Sequence, residues 1–589
     1  MPEEIVKLTI DDLEVEVEKG TSILEAALRV GIEIPSLCYL KEINEIGACR
    51  VCVVEIEGVK ALQASCVYPI TQPIQVYTNT ERVRKARKRV VELLLSEHDR
   101  ECTMCIRNLN CELQNVADNL GVRNLRATGE SKRYPIQMDN PFIMRDYNKC
   151  ISCRRCQAIC DKIQEVHVYS AQRRGLDTVI APAFMRDLGS TNCITCGQCV
   201  IACPTGSLVE REATEGVWAA LADKDKYVVV QTAPSIQVTL GEMFGMETGT
   251  IVTGKLVAAL RRLGFKRVFP TDLSADLTIM EEAHELIERL QRQSNLPLLS
   301  SCCPAWVKFA EHFYPQFLEN LSSCKSPHEM FGAMIKTYYA EKEGLDPTKI
   351  VSVAVMPCTA KKYEAARPEM GWDGYRDIDH VITTRELGRM IRQAGIHFRN
   401  LPDEPYDMPF GVSSGAGAIF GATGGVIEAA IRSAYAILNK KNWEMGLIDF
   451  EELRGQSGLK EAKVDLGSQE IKVAIAHGTG NARIILDRIL NGAHYDYIEI
   501  MGCPGGCVGG GGQPILGGRD HKRISLDYRH NRADALYKID MHSQLRQSHD
   551  NPDVKNLYEA FLGQPLGEKA KKLLHTTYTP RGSYFNLVQ

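Results

Sequence analysis

The sequence predicts a multidomain protein of mixed α/β and α+β class, in which small cysteine-rich units precede a larger α/β domain with mainly parallel sheets. Three observations predict it. The chain has 589 residues, enough for several domains. Cysteines up to residue 203 fall in tightly spaced groups. Beyond residue 213, short apolar runs alternate with amphipathic helical patterns.

Composition narrows the function classes. A net charge of −4 offers no basic surface for nucleic acid or anionic membrane. The start, "MPEEIVKLTI", has neither a basic n-region nor an apolar h-region, and no apolar run is long enough for a bilayer span, so a cytoplasmic protein is expected. Twenty-one cysteines in a reducing compartment point to metal rather than disulfides.

Residues 1–80 open as "VKLTI-DD-LEVEVEKG-TSILEAALRVGI", two alternating strands around an Asp-Asp turn and then a helix. Cys38, Cys49, Cys52 and Cys66 follow. Four thiolates with one C-x2-C suit a [2Fe–2S] cluster, with zinc the competing reading. The order of elements resembles the β-grasp ferredoxin found at the start of complex I large subunits and many hydrogenases, which favours iron.

Residues 81–130 carry "SEHDRECTMCIRNLNCELQ". Cys102, Cys105 and Cys111 lack a fourth thiol, and His98 precedes them. A lone histidine is usually a surface or capping residue, but imidazole can complete an iron–sulfur centre. The H-x3-C-x2-C-x5-C spacing also resembles the His/Cys3 [4Fe–4S] segment of the same families.

Residues 131–213 hold C-x2-C-x2-C-x3-C twice, at Cys150, Cys153, Cys156, Cys160 and at Cys193, Cys196, Cys199, Cys203. In this two-cluster ferredoxin run the fourth cysteine of each set serves the other cluster. Cys150, Cys153, Cys156 and Cys203 are thus assigned to one [4Fe–4S] cubane. Cys193, Cys196, Cys199 and Cys160 take the other. One [2Fe–2S] and three [4Fe–4S] clusters make an electron wire.

Residues 214–530 give the strand candidates "YVVVQTAPS", "RVFPTD", "LPLLSSCC", "VSVAVMPC", "DHVITT", "KVAIAHGTG" and "YIEIMGC". Ligands of parallel sheets collect beyond the carboxyl ends of strands, where Cys302–Cys303, Cys358, Cys503 and Cys507 fall. "SSCCPAW", "MPCTAKKYE" and "EIMGCPGGCVGGGGQP" resemble the three signatures of the [FeFe]-hydrogenase catalytic domain, and the preceding clusters match the accessory domains of its large clostridial-type members. Gly502, where alanine is usual, and Ser300 depart from the commonest wording.

The resemblance implies an H-cluster, a [4Fe–4S] cubane joined to a two-iron unit bearing CO, cyanide and azadithiolate. Cys303, Cys358, Cys503 and Cys507 would hold the cubane, with Cys507 bridging to the two-iron unit. Lys361 would donate to a cyanide, and Met356 and Met501 would pack softly around the cofactor. The glycines of "PGGCVGGGG" would keep the backbone clear of it. The resemblance also implies a proton relay in the order Cys302, water, Glu282, Ser322, Glu285, with H2 and protons as substrates. Cys302 would act as a thiol near its own pKa, and buried relay carboxylates should titrate high. Glu281 and Glu288 are expected to face solvent. Cys324 is left as a buried thiol.

The glycine strings "GAGAIFG" and "HGTGNA" do not open a dinucleotide-binding βαβ unit, so any NAD(P)H must bind another subunit. Ferredoxin and flavin- or NAD(P)-binding diaphorase-type subunits are the expected partners, in an electron-bifurcating complex. "LLHTTYTPRG", within 531–589, resembles the small-subunit segment that some members carry fused. An electron-transfer subunit of complex I or formate dehydrogenase type would explain only the first 210 residues. A degenerate iron–sulfur assembly or sensory relative would be expected to lose the relay residues, which remain here.

Overall fold

The computed structural model describes residues 4–126, 133–444, 446–453, 457–467, 469–516 and 528–582. At the N-terminus Ile5–Ile10 and Leu13–Glu18 form an antiparallel hairpin. Asp11 and Asp12 both take positive φ, the geometry of a two-residue hairpin turn. Ile5–Ile10 also pairs in parallel with Gln75–Tyr77, and Val53–Ile56 and Gln63–Ala64 complete a five-stranded sheet. The helix Ile23–Arg29, capped by the Ser22 side chain, buries Ile23, Leu24, Ala26 and Ala27 in the core it shares with that sheet. The sequence pattern and the observed sheet agree.

The helix Glu81–Glu97 starts on a Thr80 cap and ends at His98. Two short helices, Arg155–Lys162 and Gln198–Ala202, then pack on each other and carry the paired cysteine runs.

All seven strand candidates beyond residue 213 form strands. Arg267–Pro270, Tyr227–Thr232, Ile350–Met356 and His380–Thr383 make an all-parallel sheet in that order. Leu298–Leu299, Tyr497–Met501 and Glu470–His477 form the parallel half of a second sheet. Its other half is antiparallel, because Leu459–Asp465 folds back on Glu470–His477 and is followed by Glu451–Glu452. "LKEAKVD" escapes a search for apolar runs, since it buries only Leu459 and Val464.

The helix Asp272–Arg292 is longer than its amphipathic pattern suggests and packs against Gly425–Asn439 and Pro327–Met334. It corrects one expectation. Glu281, read as solvent-facing, is fully buried. The C-terminal segment crosses it, so that Tyr558 hydroxyl, Leu566 amide and the His575 ring meet its carboxylate. Nothing local in "MEEAHELIERL" signals a cover arriving from nearly 300 residues away. Glu288 is partly exposed and pairs with Arg292 at 2.5 Å.

Both glycine strings serve packing. A side chain at Gly417 would strike the Asp272 backbone, and Gly478 and Gly480 lie against the Ile163 carbonyl. The amides of Thr479 and Gly480 are already bonded to Gln164 and Ile163, which closes that helix N-terminus to a phosphate.

Candidate metal centres and proton path

The cysteines converge in the groups their spacing predicts. Around the first site, Cys52 and Cys66 sulfurs lie 3.3 Å apart, and the Cys49 amide points at Cys38 Sγ over 3.5 Å. All four thiols are buried beneath the N-terminal sheet.

His98 stands at the end of its helix with Nδ1 buried and without a hydrogen-bond partner. Burial lowers its pKa to about 4, so the ring is neutral, the form in which imidazole ligates metal. Cys105 interacts with both Cys102 and Cys111.

In the ferredoxin-like unit the fourth cysteines do cross over. Cys150, Cys153, Cys156 and Cys203 line one small cavity, while Cys160, Cys193, Cys196 and Cys199 line another. Between them lies Arg145, fully buried, with its guanidinium 3.8 Å from Cys150 Sγ and 4.0 Å from Cys156 Sγ. Its charge also faces the rings of Tyr147 and Tyr169, and the Tyr169 hydroxyl donates to Cys199 Sγ at 3.6 Å. Spacing alone gave no hint of this cation.

The catalytic cysteines arrive on three strand ends. Cys302 and Cys303 follow Leu298–Leu299, Cys358 follows Ile350–Met356, and Cys503 and Cys507 follow Tyr497–Met501. Cys303, Cys358, Cys503 and Cys507 interact as one group, and Cys503 also faces Cys196 of the ferredoxin-like unit. The glycine run also packs closely on its neighbours. Gly510 packs on the Pro357 carbonyl, Gly512 on Thr383, and Gly511 on the Cys196–Gly197 backbone. A Cβ at Gly511 would come within 2.6 Å of Gly197 Cα, so these glycines let two domains touch backbone to backbone.

Beside Cys507 opens a cavity of about 50 Å³. Cys302, Met356, Lys361 and Met501 line it, as the sequence suggested. So do Ala233–Ser235, Phe420 and His328, which it did not. The first of these could have been found, because "TAPS" ends a parallel strand. Ser235 Oγ is buried without a partner. Lys361 is buried, donating to the Cys302 carbonyl at 3.0 Å and to Glu364 at 2.8 Å. Four thiols next to a cavity with soft sulfurs and one fixed cation fit a cubane joined to a small anionic metal unit.

The residues expected to relay protons fall into two bonded groups. Glu282 is fully buried, accepts from the Tyr497 hydroxyl at 2.6 Å, and leaves Oε2 without a partner. Burial raises its pKa to about 8. Ser322 donates to Glu285 at 2.9 Å, and Arg289 pairs with Glu285 at 2.7 Å. Among the described residues no direct hydrogen bond joins Glu282 to Ser322. Cys302 differs from expectation: burial and the neighbouring Glu282 push its thiol well above 9, so it is held neutral. Tyr497 was not anticipated, since in "YDYIEI" it reads as ordinary strand core.

A thiol group at the sheet ends behind smaller cysteine-rich units points to the class of iron–sulfur oxidoreductases. Residues 226–511 match the C-terminal domain of the iron-only hydrogenase large subunit, and 526–581 match the iron hydrogenase small subunit. Residues 3–81, 87–126 and 149–208 match a 2Fe-2S iron-sulfur cluster binding domain, the NADH-ubiquinone oxidoreductase-G iron-sulfur binding region and a 4Fe-4S dicluster domain. The chain is 47% identical over 588 residues to the NADP-reducing hydrogenase subunit HndD of Solidesulfovibrio fructosivorans, covering 98% of this chain and 99% of that one. It is 40% identical to iron hydrogenase 1 of Clostridium pasteurianum, over 97% of this chain and 99% of that one. A variant of the [FeFe]-hydrogenase HydA1 from Chlamydomonas reinhardtii superposes with a TM-score of 0.57 at 40% identity, covering 63% of this chain and 99% of the other. The chain belongs to the iron-only, or [FeFe], hydrogenase family. It is an iron hydrogenase-type oxidoreductase with [2Fe–2S] and [4Fe–4S] domains. No helix among the described residues is long and apolar enough to cross a membrane.

Proposed function

We propose that the chain is the cytoplasmic, hydrogen-activating subunit of a larger assembly. In this assembly flavin- and NAD(P)-binding diaphorase-type subunits and ferredoxin exchange electrons with its wire, by electron bifurcation. The observation that carries the catalytic part is the group Cys303, Cys358, Cys503 and Cys507 beside a cavity lined by Cys302 and Lys361. The end-to-end likeness to an NADP-reducing hydrogenase subunit supports the partner.

In this reading Cys303, Cys358, Cys503 and Cys507 would hold the cubane of an H-cluster, with Cys507 the residue that would also serve the two-iron unit. When bound, that unit supplies the reversible splitting of H2 into protons and electrons. Lys361, held by Glu364, fixes a cyanide, and Met356 and Met501 pack against the unit. Cys302 moves protons between the cavity and Glu282, and Ser322 and Glu285 continue outward. Cys503 facing Cys196 supports electron entry at the Cys160, Cys193, Cys196, Cys199 cubane. The Cys150, Cys153, Cys156, Cys203 cubane comes next. The His98, Cys102, Cys105, Cys111 cubane and the Cys38, Cys49, Cys52, Cys66 [2Fe–2S] cluster lead towards the partners. The five-unit division at residues 80, 130, 213 and 530 belongs to the same reading.

Purification from the native host tests it. H2-dependent reduction of NAD+, NADP+ and ferredoxin is assayed separately and together, on the assembly and on the isolated chain. The expected result is nucleotide reduction by the assembly only, coupled to ferredoxin. Direct nucleotide reduction by the isolated chain would overturn the partner reading.

A further inference from the structure

Glu285, the outermost carboxylate of the proposed relay, is crowded with donors. Its oxygens accept from Arg289 at 2.7 Å, Ser322 Oγ at 2.9 Å, the Ser323 amide at 3.2 Å and Ser323 Oγ at 3.3 Å. Arginine cannot surrender its proton, so Arg289 orients the carboxylate without extending the path. Ser323 can extend it. Its hydroxyl lies 2.8 Å from Nδ1 of His575, and Nε2 of that ring lies 3.0 Å from Glu281.

The ring is held from both sides. The C-terminal segment runs along residues 323–325 as an extra strand, with Lys325 amide donating to Leu574 and Thr576 amide to Ser323, both at 2.8 Å. Glu281 is fixed in turn by the Tyr558 hydroxyl and the Leu566 amide. Cys324 lies 3.9 Å from Glu285, and the Tyr578 hydroxyl donates to the Ser322 carbonyl at 2.7 Å. The His575 side chain is 7% exposed, so one edge of the ring still reaches water. A histidine in contact with both Ser323 and Glu281 is thereby supplied by the segment that the sequence marked only as "LLHTTYTPRG".

We infer that His575 is a proton-transfer residue of this enzyme, passing protons between solvent and Glu285 through the Ser323 hydroxyl. In the inward direction the imidazolium ring, its Nε2–H held by the Glu281 carboxylate, gives its Nδ1 proton to Ser323 Oγ as that hydroxyl gives its own to Glu285. The ring, left neutral, regains its Nδ1 proton from solvent water and returns to its starting charge. The inference rests on the relay reading above.

The competing role for His575 is a structural clasp on Glu281, and the test separates the two. In holoenzyme, His575→Gln and Ser323→Ala should each slow H2 evolution about tenfold and raise its solvent isotope effect, and added imidazole should restore part of the His575→Gln rate. In protein without the two-iron unit, 15N-histidine NMR should show the Nδ1 resonance of His575 moving in Ser323→Ala while Nε2 stays. Wild-type rates in both variants, an unmoved Nδ1 resonance, or a rate loss with neither isotope effect nor imidazole rescue would each overturn the inference. Glu285→Gln is the control: full activity there would remove the relay reading itself rather than this branch alone.

Discussion

Lys361 donates to the main-chain oxygen of Cys302 at 3.0 Å, tying the cavity's buried cation to the residue proposed to begin the proton path. Lys361→Asn should leave the cubane in place and impair retention of the two-iron unit. Infrared spectra after in vitro insertion should show weakened or absent metal-bound CO and cyanide bands, with activity reduced about a hundredfold or more. Normal bands and turnover would refute the anchoring role.

Cys302→Ala tests the neutral thiol. Cluster spectra should be retained while H2 evolution falls at least about a hundredfold. Near-normal evolution would move proton delivery elsewhere.

Glu282 gives a pH prediction with a definite sign. Its ordinary pKa of 4.5 is raised to about 8, so between those values the folded protein keeps a proton that the unfolded chain has lost. Stability therefore falls as pH rises through this window. Glu282→Gln should gain on wild type in melting temperature, by about 2–4 °C by pH 8, with little difference near pH 4.5. H2 evolution by wild type should decline above about pH 8, as the carboxyl loses its proton.

His98→Ala should remove or convert one cubane by EPR and leave the other clusters unchanged. An unaltered spectrum would return His98 to a capping role. His98→Cys should restore a cubane with altered g-values.

Arg145 stands 3.8–4.0 Å from two sulfurs of one proposed cubane. Arg145→Leu removes a buried positive charge and should lower that cluster's potential, on the order of 100 mV, in a spectroelectrochemical titration. An unmoved potential would show that other dipoles dominate there.

The legible parts of the sequence were those fixed by local chemistry. Ligand spacing grouped the accessory cysteines as the structure brings them together, and the three strand-end motifs placed Cys303, Cys358, Cys503 and Cys507 in one group. Alternation in "VKLTI-DD-LEVEV" gave the N-terminal hairpin, because each strand is buried on one face. What escaped depends on distant partners. Tyr497 looks like core until Glu282 is placed beside it. Glu281 looks solvated until Tyr558 and His575 cover it. The loop glycines gave no sign that Gly510 and Gly511 press against Cys196, Gly197 and Pro357. Periodicity records which face of a helix is apolar, and says nothing about a polar face buried by a later segment.

The contact of Gly511 with Gly197 also bears on how such enzymes can be rebuilt. Gln198 reaches the Gly509 carbonyl at 2.8 Å, and Thr359 reaches the Thr195 carbonyl at 2.6 Å. The two modules are mated like a plug and socket cut to one tolerance. A foreign ferredoxin unit grafted onto this catalytic domain would have to bring a matching turn at 195–198, or be exchanged together with the 509–512 loop.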